Sequence, residues 1–243
     1  MKAFVKRRLA ALDYSLKSTR YVPRQLLDER NLRQIGFDDL VCRRMFDAGP
    51  ELNFIQVGAF DGVVGDPLRK FILQCGWSGI LVEPQPHAVE LLRVLYAQNS
   101  RISIIPAALD RCAGTRILYA VEAGNIPEWA GGLASFDRRN ILKHASLIPG
   151  LETMVREIPV PCVSFETVLQ HAPPRLDLLQ VDTEGYDAEI LSMFPFDVVK
   201  PAIVHWEVKH LTRQKREECL QRLGQAGYRF ASSGGEDMLA VNF

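Results

Sequence analysis

The chain has 243 residues, of which 47% are hydrophobic and 24% charged; 29 Lys and Arg offset 29 Asp and Glu, giving a formal net charge of zero. This is the composition of an ordinary globular protein with room for one large domain, and it excludes collagen-like and low-complexity classes. A neutral chain lacks the strongly basic face that bulk nucleic-acid binding needs, so no nucleic-acid partner is expected.

Residues 1–24 carry seven basic residues and one acid, Asp13, with Phe4, Val5, Leu9, Leu12 and Leu16 at near-helical spacing. The pattern predicts a basic amphipathic helix that ends near Pro23, either packed on the main domain or resting on a membrane surface. Leu26 to Phe46 reads as one or two further helices broken near Gly36, and Asp47-Ala48-Gly49-Pro50 as a boundary. A helical extension over 1–50 is therefore expected before a domain over 51–243.

From Asn53 the pattern changes. Phe54 to Val57, Gly79 to Glu83 and Ile102 to Ile105 read as short apolar strands, separated by helices over 67–75 and 86–98. Arg116 to Val121 is another β-like run, and residues 122–160 read as irregular, with Gly131-Gly132 and several prolines. Leu176 to Val181 and Ala202 to Val208 are further strands, each followed by a helix. Tyr228 to Ser232, Gly234-Gly235 and Met238 to Phe243 read as a hairpin. Strands alternating with helices imply an α/β fold with a mainly parallel, Rossmann-like sheet. No apolar run reaches the roughly 18 residues of a membrane span, and an apolar secretory leader is not evident. The five cysteines, at 42, 75, 112, 162 and 219, contain no Cys-x-x-Cys pair. Scattered reduced thiols in a cytoplasmic protein are the expectation.

The first strand runs into Val57-Gly58-Ala59-Phe60-Asp61-Gly62, and the second ends in Glu83. Glycines let a backbone turn tightly and approach a ligand, and an acid at the end of the next strand can accept both hydroxyls of a ribose. Glycines at 58, 62 and 65 miss the first spacing of the dinucleotide fingerprint G-x-G-x-x-G. Asp61 would repel a pyrophosphate but suits a cationic ligand. The turn therefore favours S-adenosylmethionine, which carries a sulfonium, an ammonium and a ribose, over a nicotinamide dinucleotide; a purely structural turn is the plain alternative.

Three stretches carry a family resemblance: Phe54 to Gly62; Gly76-Trp77-Ser78-Gly79-Ile80-Leu81-Val82-Glu83-Pro84; and Leu178-Leu179-Gln180-Val181-Asp182-Thr183-Glu184-Gly185-Tyr186-Asp187. With weaker agreement at Ala107-Ala108-Leu109 and Ser135, the chain over 53–243 resembles the FkbM-type S-adenosylmethionine-dependent methyltransferases. The resemblance implies a seven-stranded class I methyltransferase core and methyl transfer to a hydroxyl of a sugar, glycolipid or polyketide-type product. It places Gly58, Asp61 and Gly62 at the methionine end of the cofactor, Glu83 at the ribose and Ala107 with Ala108 near the adenine, with Gln56, Ala59, Phe60 and Pro84 as further cofactor-binding residues. Many members have an acid where this chain has Gln56. Gln56 still offers hydrogen bonds but no charge, which shifts the ammonium-binding role toward Asp61 or Asp66.

An alcohol is a poor nucleophile while protonated, so a base or a metal is needed beside the methyl group. Asp182 and Glu184, at the end of the fourth parallel strand, and His205, on the fifth, are the catalytic candidates. Each has a structural alternative: a helix cap, a helix-dipole partner and a satisfied core histidine, respectively. Glu207 shares a strand face with His205, and Asp182 with Glu207 is a candidate pair for a divalent cation. Trp129, Ser135, Tyr186 and Glu207 are the substrate-binding candidates, with segment 122–160 as a lid over the acceptor; Trp77, beside a buried strand, is expected in the core. The acceptor is expected to be a small molecule, glycan or glycolipid, the last approached through the basic helix at a membrane surface. The rival functions are a nicotinamide oxidoreductase and a non-catalytic interaction module on the same fold.

Overall fold

The computed structural model describes residues 35–122, 126–233 and 236–243. The basic helix expected over 1–24 lies outside them. Helix α1 (Phe37–Ala48) starts directly after Gly36, where the break was expected, and leads into strand β1 (Asn53–Val57). There follow α2 (Arg69–Cys75), β2 (Ser78–Val82), α3 (Pro86–Leu95), β3 (Ile102–Ile105), β4 (Ala108–Leu109) and β5 (Gly114–Val121). A 3-10 turn (Glu128–Gly132) precedes β6 (Ala134–Ser135), α4 (Arg138–Leu142), α5 (Leu151–Met154) and β7 (Val155–Val163). The chain closes with α6 (Phe165–Leu169), β8 (Leu178–Val181), α7 (Asp187–Met193), β9 (Ile203–Glu207), α8 (Arg213–Gln225), β10 (Arg229–Ser232) and β11 (Asp237–Val241).

The main sheet has seven strands in the order β10-β11-β9-β8-β1-β2-β3. The pairs of β1 with β2 and β8, of β2 with β3 and of β8 with β9 are parallel. Strand β11 enters antiparallel between β9 and β10 and completes the expected hairpin. The strands are nearly continuous apolar runs because helices cover both faces. On one face α1, α2 and α3 pack Leu40, Met45, Phe71 and Leu92 against Phe54, Leu81, Leu178 and Ile203. On the other, α6, α7 and α8 pack Val168, Leu191, Phe194 and Leu223 against Ile55, Val82, Leu179 and Trp206. Trp77 is a core residue: it stacks on Phe71 at 4.8 Å, and its indole N–H donates to the Pro50 carbonyl at 3.0 Å. Local signals set the helix ends, with Pro86 in the first turn of α3, left-handed Gly76 closing α2, and the Thr212 hydroxyl capping α8.

At the amino-terminal ends of the strands, Asp177 is fully buried. It pairs with Arg44 of α1 (2.7 Å) and Arg175 (3.0 Å) and accepts the Asn53 N–H (3.0 Å). That ionic knot fixes α1 against β1 and β8.

The segment read from sequence as irregular, 122–160, holds more regular structure among its described residues. Strand β7 covers 155–163 and pairs antiparallel with β5 from Gly114↔Cys162 to Val121↔Val155. A second, four-stranded sheet results, in the order β4-β7-β5-β6, and it stands beside the carboxyl ends of the main sheet. Among the described residues no helix is long and apolar enough to cross a membrane.

The loops after β1 and β8 touch. Gly58 has a φ of +82°, and a Cβ added there would lie 1.7 Å from the Asp182 carbonyl oxygen. Backbone blocks that space on both sides, so Gly58→Ala is expected to lose about 3 kcal/mol or more of stability, read by urea denaturation. A loss under about 0.5 kcal/mol would show that the two loops are not held together there.

Candidate active site

A cleft opens at the carboxyl ends of β1, β2 and β8, where ligands of open α/β sheets bind. Its floor is Gly58, Phe60 and Asp182, one wall is Glu83 to Gln85, and the second sheet supplies Ala108, Leu118, Ala134 and Ser135. Ala107, Trp129, Gly132, Glu184 and Tyr186 complete the rim. Of the described residues, two that are not glycine adopt positive φ: Phe60 (44°) and Glu184 (51°). Both face this cleft, and strain of that kind persists where surrounding contacts enforce it. The Phe60 ring is wedged under the 3-10 turn, since a Cβ on Gly131 or Gly132 would come within 3.2 or 3.3 Å of it. Two glycines there leave the room that ring requires.

Glu83 is 2% exposed. Its Oε2 accepts the Phe60 N–H (2.8 Å) and its Oε1 the Gln85 N–H (2.9 Å). Burial pushes its carboxyl up to about 7 even though these backbone donors pull the other way. The carboxyl borders the cleft, where an ionised acid is the acceptor that a vicinal diol needs.

Asp182 sits at the foot of the cleft, ringed by protein yet open to the cavity. Burial, then Asp187, Glu184 and Asp237, raise its carboxyl well above the usual carboxylate range. Glu207 is pushed up to about 9 by burial and by Asp182, Glu184 and Asp187. Asp187 shapes the loop, accepting from the Thr183 hydroxyl (3.1 Å) and the Gly185 N–H (3.2 Å). Tyr186 donates to Asp110 (3.1 Å) and accepts from Arg116 (3.0 Å), which bridges the β8 loop to β5. The Ser135 hydroxyl and the Asn140 amide both donate to the Glu184 carbonyl, at 2.9 and 3.0 Å. The β6–α4 segment is thereby clamped onto the same loop.

The residues singled out in the sequence thus divide. Gly58, Phe60, Glu83, Pro84, Ala107, Ala108, Trp129, Ser135, Asp182, Glu184 and Tyr186 border the cleft. Gln56 does not: its side chain points to the α1 face and donates to Asp66 at 3.3 Å. Ala59 is packed in the core under α2 and α3. Asp61 caps its own turn, accepting the Val63 and Val64 N–H groups (2.8 and 2.9 Å), and neither it nor Asp66 lines the cleft. Gly62 serves packing, since a Cβ there would meet Leu92 at 2.8 Å.

His205 is also displaced from the reacting centre. It stacks on Phe37 of α1 (4.6 Å), its Nδ1 meets Gln180 Oε1 (2.6 Å), and burial lowers its pKa to about 3. It packs on the α1 face and does not line the cleft. A different histidine approaches the β8 loop: His210 Nε2 lies 3.0 Å from Glu184 and 3.9 Å from Glu207. His144, in the turn after α4, stands beside it with ring centroids 5.6 Å apart. Glu207 borders this histidine pair rather than the cleft. Neither histidine was selected from sequence; the available signal was that His210 lies just past the carboxyl end of a strand.

A sheet with one antiparallel strand next to last in the order, a glycine turn after β1 and a buried acid after β2 define a class I S-adenosylmethionine-dependent methyltransferase. The site suits that cofactor, because the raised, crowded carboxyls around Asp182 call for a cation and Glu83 for a diol. The profile of the methyltransferase FkbM domain matches residues 56–230, and the chain belongs to that family. Similar solved structures include methyltransferase FkbM from Methylobacillus flagellatus KT, at 11% identity and a TM-score of 0.43 over 79% of this chain and 44% of that one. Others are Aeropyrum pernix fibrillarin with natively bound S-adenosyl-L-methionine (9%, 0.40, covering 79% and 68%) and the N-terminal domain of human METTL16 with SAH (10%, 0.42, covering 85% and 67%). The chain thus spans less than half of the Methylobacillus protein. No match is found among curated protein sequences.

Glu83 gives the site a pH signature. Its folded pKa of about 7 exceeds the ordinary 4.5, so its protonated form favours folding below about 4.5 and that contribution is lost as pH rises through about 7. A ribose needs the ionised form, so affinity for S-adenosylhomocysteine is expected to drop about tenfold between about pH 8 and about pH 6. Calorimetry at both values checks this, with Glu83→Gln expected to bind more weakly and without that step. A wild-type affinity independent of pH would remove Glu83 from the ribose site.

Proposed function

We propose that this protein transfers the methyl group of S-adenosylmethionine to a hydroxyl of a sugar, glycolipid or natural-product acceptor. The observation that carries the reading is the position of the Asp182 carboxyl, at the foot of the cleft and open to the cavity, with Asp187, Glu184 and Asp237 as charged neighbours. A carboxylate whose proton affinity is elevated by neighbouring acids is a competent general base for an alcohol. The cofactor supplies an electrophilic methyl group; the chain supplies orientation, charge and a proton acceptor.

In this reading Glu83 holds the ribose diol and Ala107 with Ala108 lie against the adenine. Gly58 and Phe60 leave room for the methionine end, and the acids beyond them complement its positive charge. Asp182 takes the hydroxyl proton as the acceptor oxygen forms its bond to the methyl carbon and the carbon–sulfur bond breaks. Trp129, 40% exposed at the rim, offers a flat apolar face for a sugar ring, and Ser135 and Tyr186 border the same wall. The mix of one aromatic face with hydroxyls and carboxylates suits a polyhydroxylated acceptor better than an apolar one. The 3-10 turn and β6–α4 segment, fixed to Phe60 and Glu184, form the cover over that acceptor. Five free thiols, four of them buried, support action in the reducing cytoplasm.

The test is transfer of labelled methyl from S-adenosylmethionine to a panel of monosaccharides, glycolipids and macrolide-type polyketides. A base-stable ether product is expected. Asp182→Asn should lower turnover by about 100-fold or more with S-adenosylhomocysteine affinity held within about threefold. Methylation of amines or carboxylates alone, or full turnover in Asp182→Asn, would overturn the reading.

A further inference from the structure

We propose that His144, Glu184 and His210 form a binding site for a divalent transition-metal ion beside the cleft, joined to it by Glu184. Three separate segments deliver these residues: the turn after α4, the loop after β8 and the loop after β9. One ligand atom from each lies within 4.8 Å of the other two. The 3.0 Å between His210 Nε2 and Glu184 Oε2 is the spacing of two ligands each about 2.1 Å from a common ion. His144 is 8% exposed and the His210 side chain 4%. Neither Nε2 makes an aligned hydrogen bond, although that of His210 stands 3.0 Å from Glu184, and Glu207 Oε2, 3.9 Å from His210, is buried without one as well. Buried polar atoms without partners are rare, and three of them gathered in one place mark a group that would satisfy them together.

The ligand set is supported from behind. The Trp129 ring borders His144 at 5.7 Å, and His144 meets His210 edge to face. The Glu184 carbonyl is held by Ser135 and Asn140, so the residue keeps its strained φ of 51°. The nearby cations are engaged elsewhere, Lys209 with Glu236 at 3.3 Å and Lys143 with Asn140 at 2.8 Å. Two imidazoles with one carboxylate, and Glu207 as a further oxygen donor, suit zinc, manganese, iron or cobalt rather than magnesium or calcium.

Binding of the ion stands apart from the methyl-transfer reading; its role rests on that reading. Glu184 borders both the histidines and the cleft, so an ion held there would stand next to the acceptor and would supply Lewis-acid polarisation of its hydroxyl. The proton then passes to Asp182, the oxygen–methyl bond forms, and the carbon–sulfur electron pair returns to sulfur, leaving a methyl ether and S-adenosylhomocysteine.

The full-length protein, stripped with chelator, is titrated with Co²⁺ under visible absorption and with Zn²⁺ in a calorimeter. S-adenosylhomocysteine is titrated in parallel. One ion per chain is expected, with affinity lowered about 100-fold or more in His210→Ala and in His144→Ala. Unchanged S-adenosylhomocysteine binding in these variants confirms that they fold. Glu184→Gln, nearly isosteric, is expected to show the same loss and replaces any histidine variant that does not fold. Absent stoichiometric binding in the wild type, or undiminished affinity in the variants, overturns the site. Metal binding without S-adenosylhomocysteine binding would retain the metal site and sink the methyltransferase reading; the reverse would do the opposite.

Discussion

The approach of Gly58 to the Asp182 carbonyl sets the geometry on which the site depends. Parallel strands β1 and β8 are neighbours in the sheet, and their chains turn away at the same level. Because residue 58 has no side chain, the two turns close into a single floor. That contact puts Phe60 under the 3-10 turn, brings the Phe60 N–H onto Glu83, and carries the strained Glu184 onto the rim. A Cβ at this point would part the loops, and the cofactor wall and acceptor wall would lose their common base.

Electrostatics follow from that closure. Asp182, Glu184, Asp187, Glu207 and Asp237 are gathered at the ends of β8, β9 and β11, and burial with mutual repulsion raises Asp182 and Glu207. Carboxyls crowded in this way cannot all ionise unless a positive charge joins them. The sulfonium and ammonium of the cofactor would supply such charge, and the ion proposed between His144, Glu184 and His210 would supply more. Asp177, at the opposite ends of the strands, already has Arg44 and Arg175 and carries no such demand.

Much of this was legible in the sequence, for physical reasons that also explain what was not. The apolar runs at 54–57, 79–82 and 178–181 announce buried parallel strands, and Glu83 and Asp182, ending two of them, fall at the site by topology alone. Strand β7 was hidden because Pro159 and Pro161 read as loop and its partner β5 lies far back in the chain. The second sheet, and with it Leu118 and Ala134 as cleft residues, was therefore missed. For His205 the alternation rule gave the right parity, but the rule does not say which face meets α1. Gly62 and Asp61 sit in a glycine-rich turn, yet they serve the packing of α3 and the turn itself. His144 and His210 meet only through the fold of three loops, a proximity that no local pattern encodes.

The measurement that tests the account most directly is a crystal structure of the protein with S-adenosylhomocysteine. The account predicts both ribose hydroxyls within hydrogen-bond distance of Glu83, the adenine against Ala107 and Ala108, and the sulfur facing Asp182. A ligand seated elsewhere, or with its ribose turned away from Glu83, would contradict it.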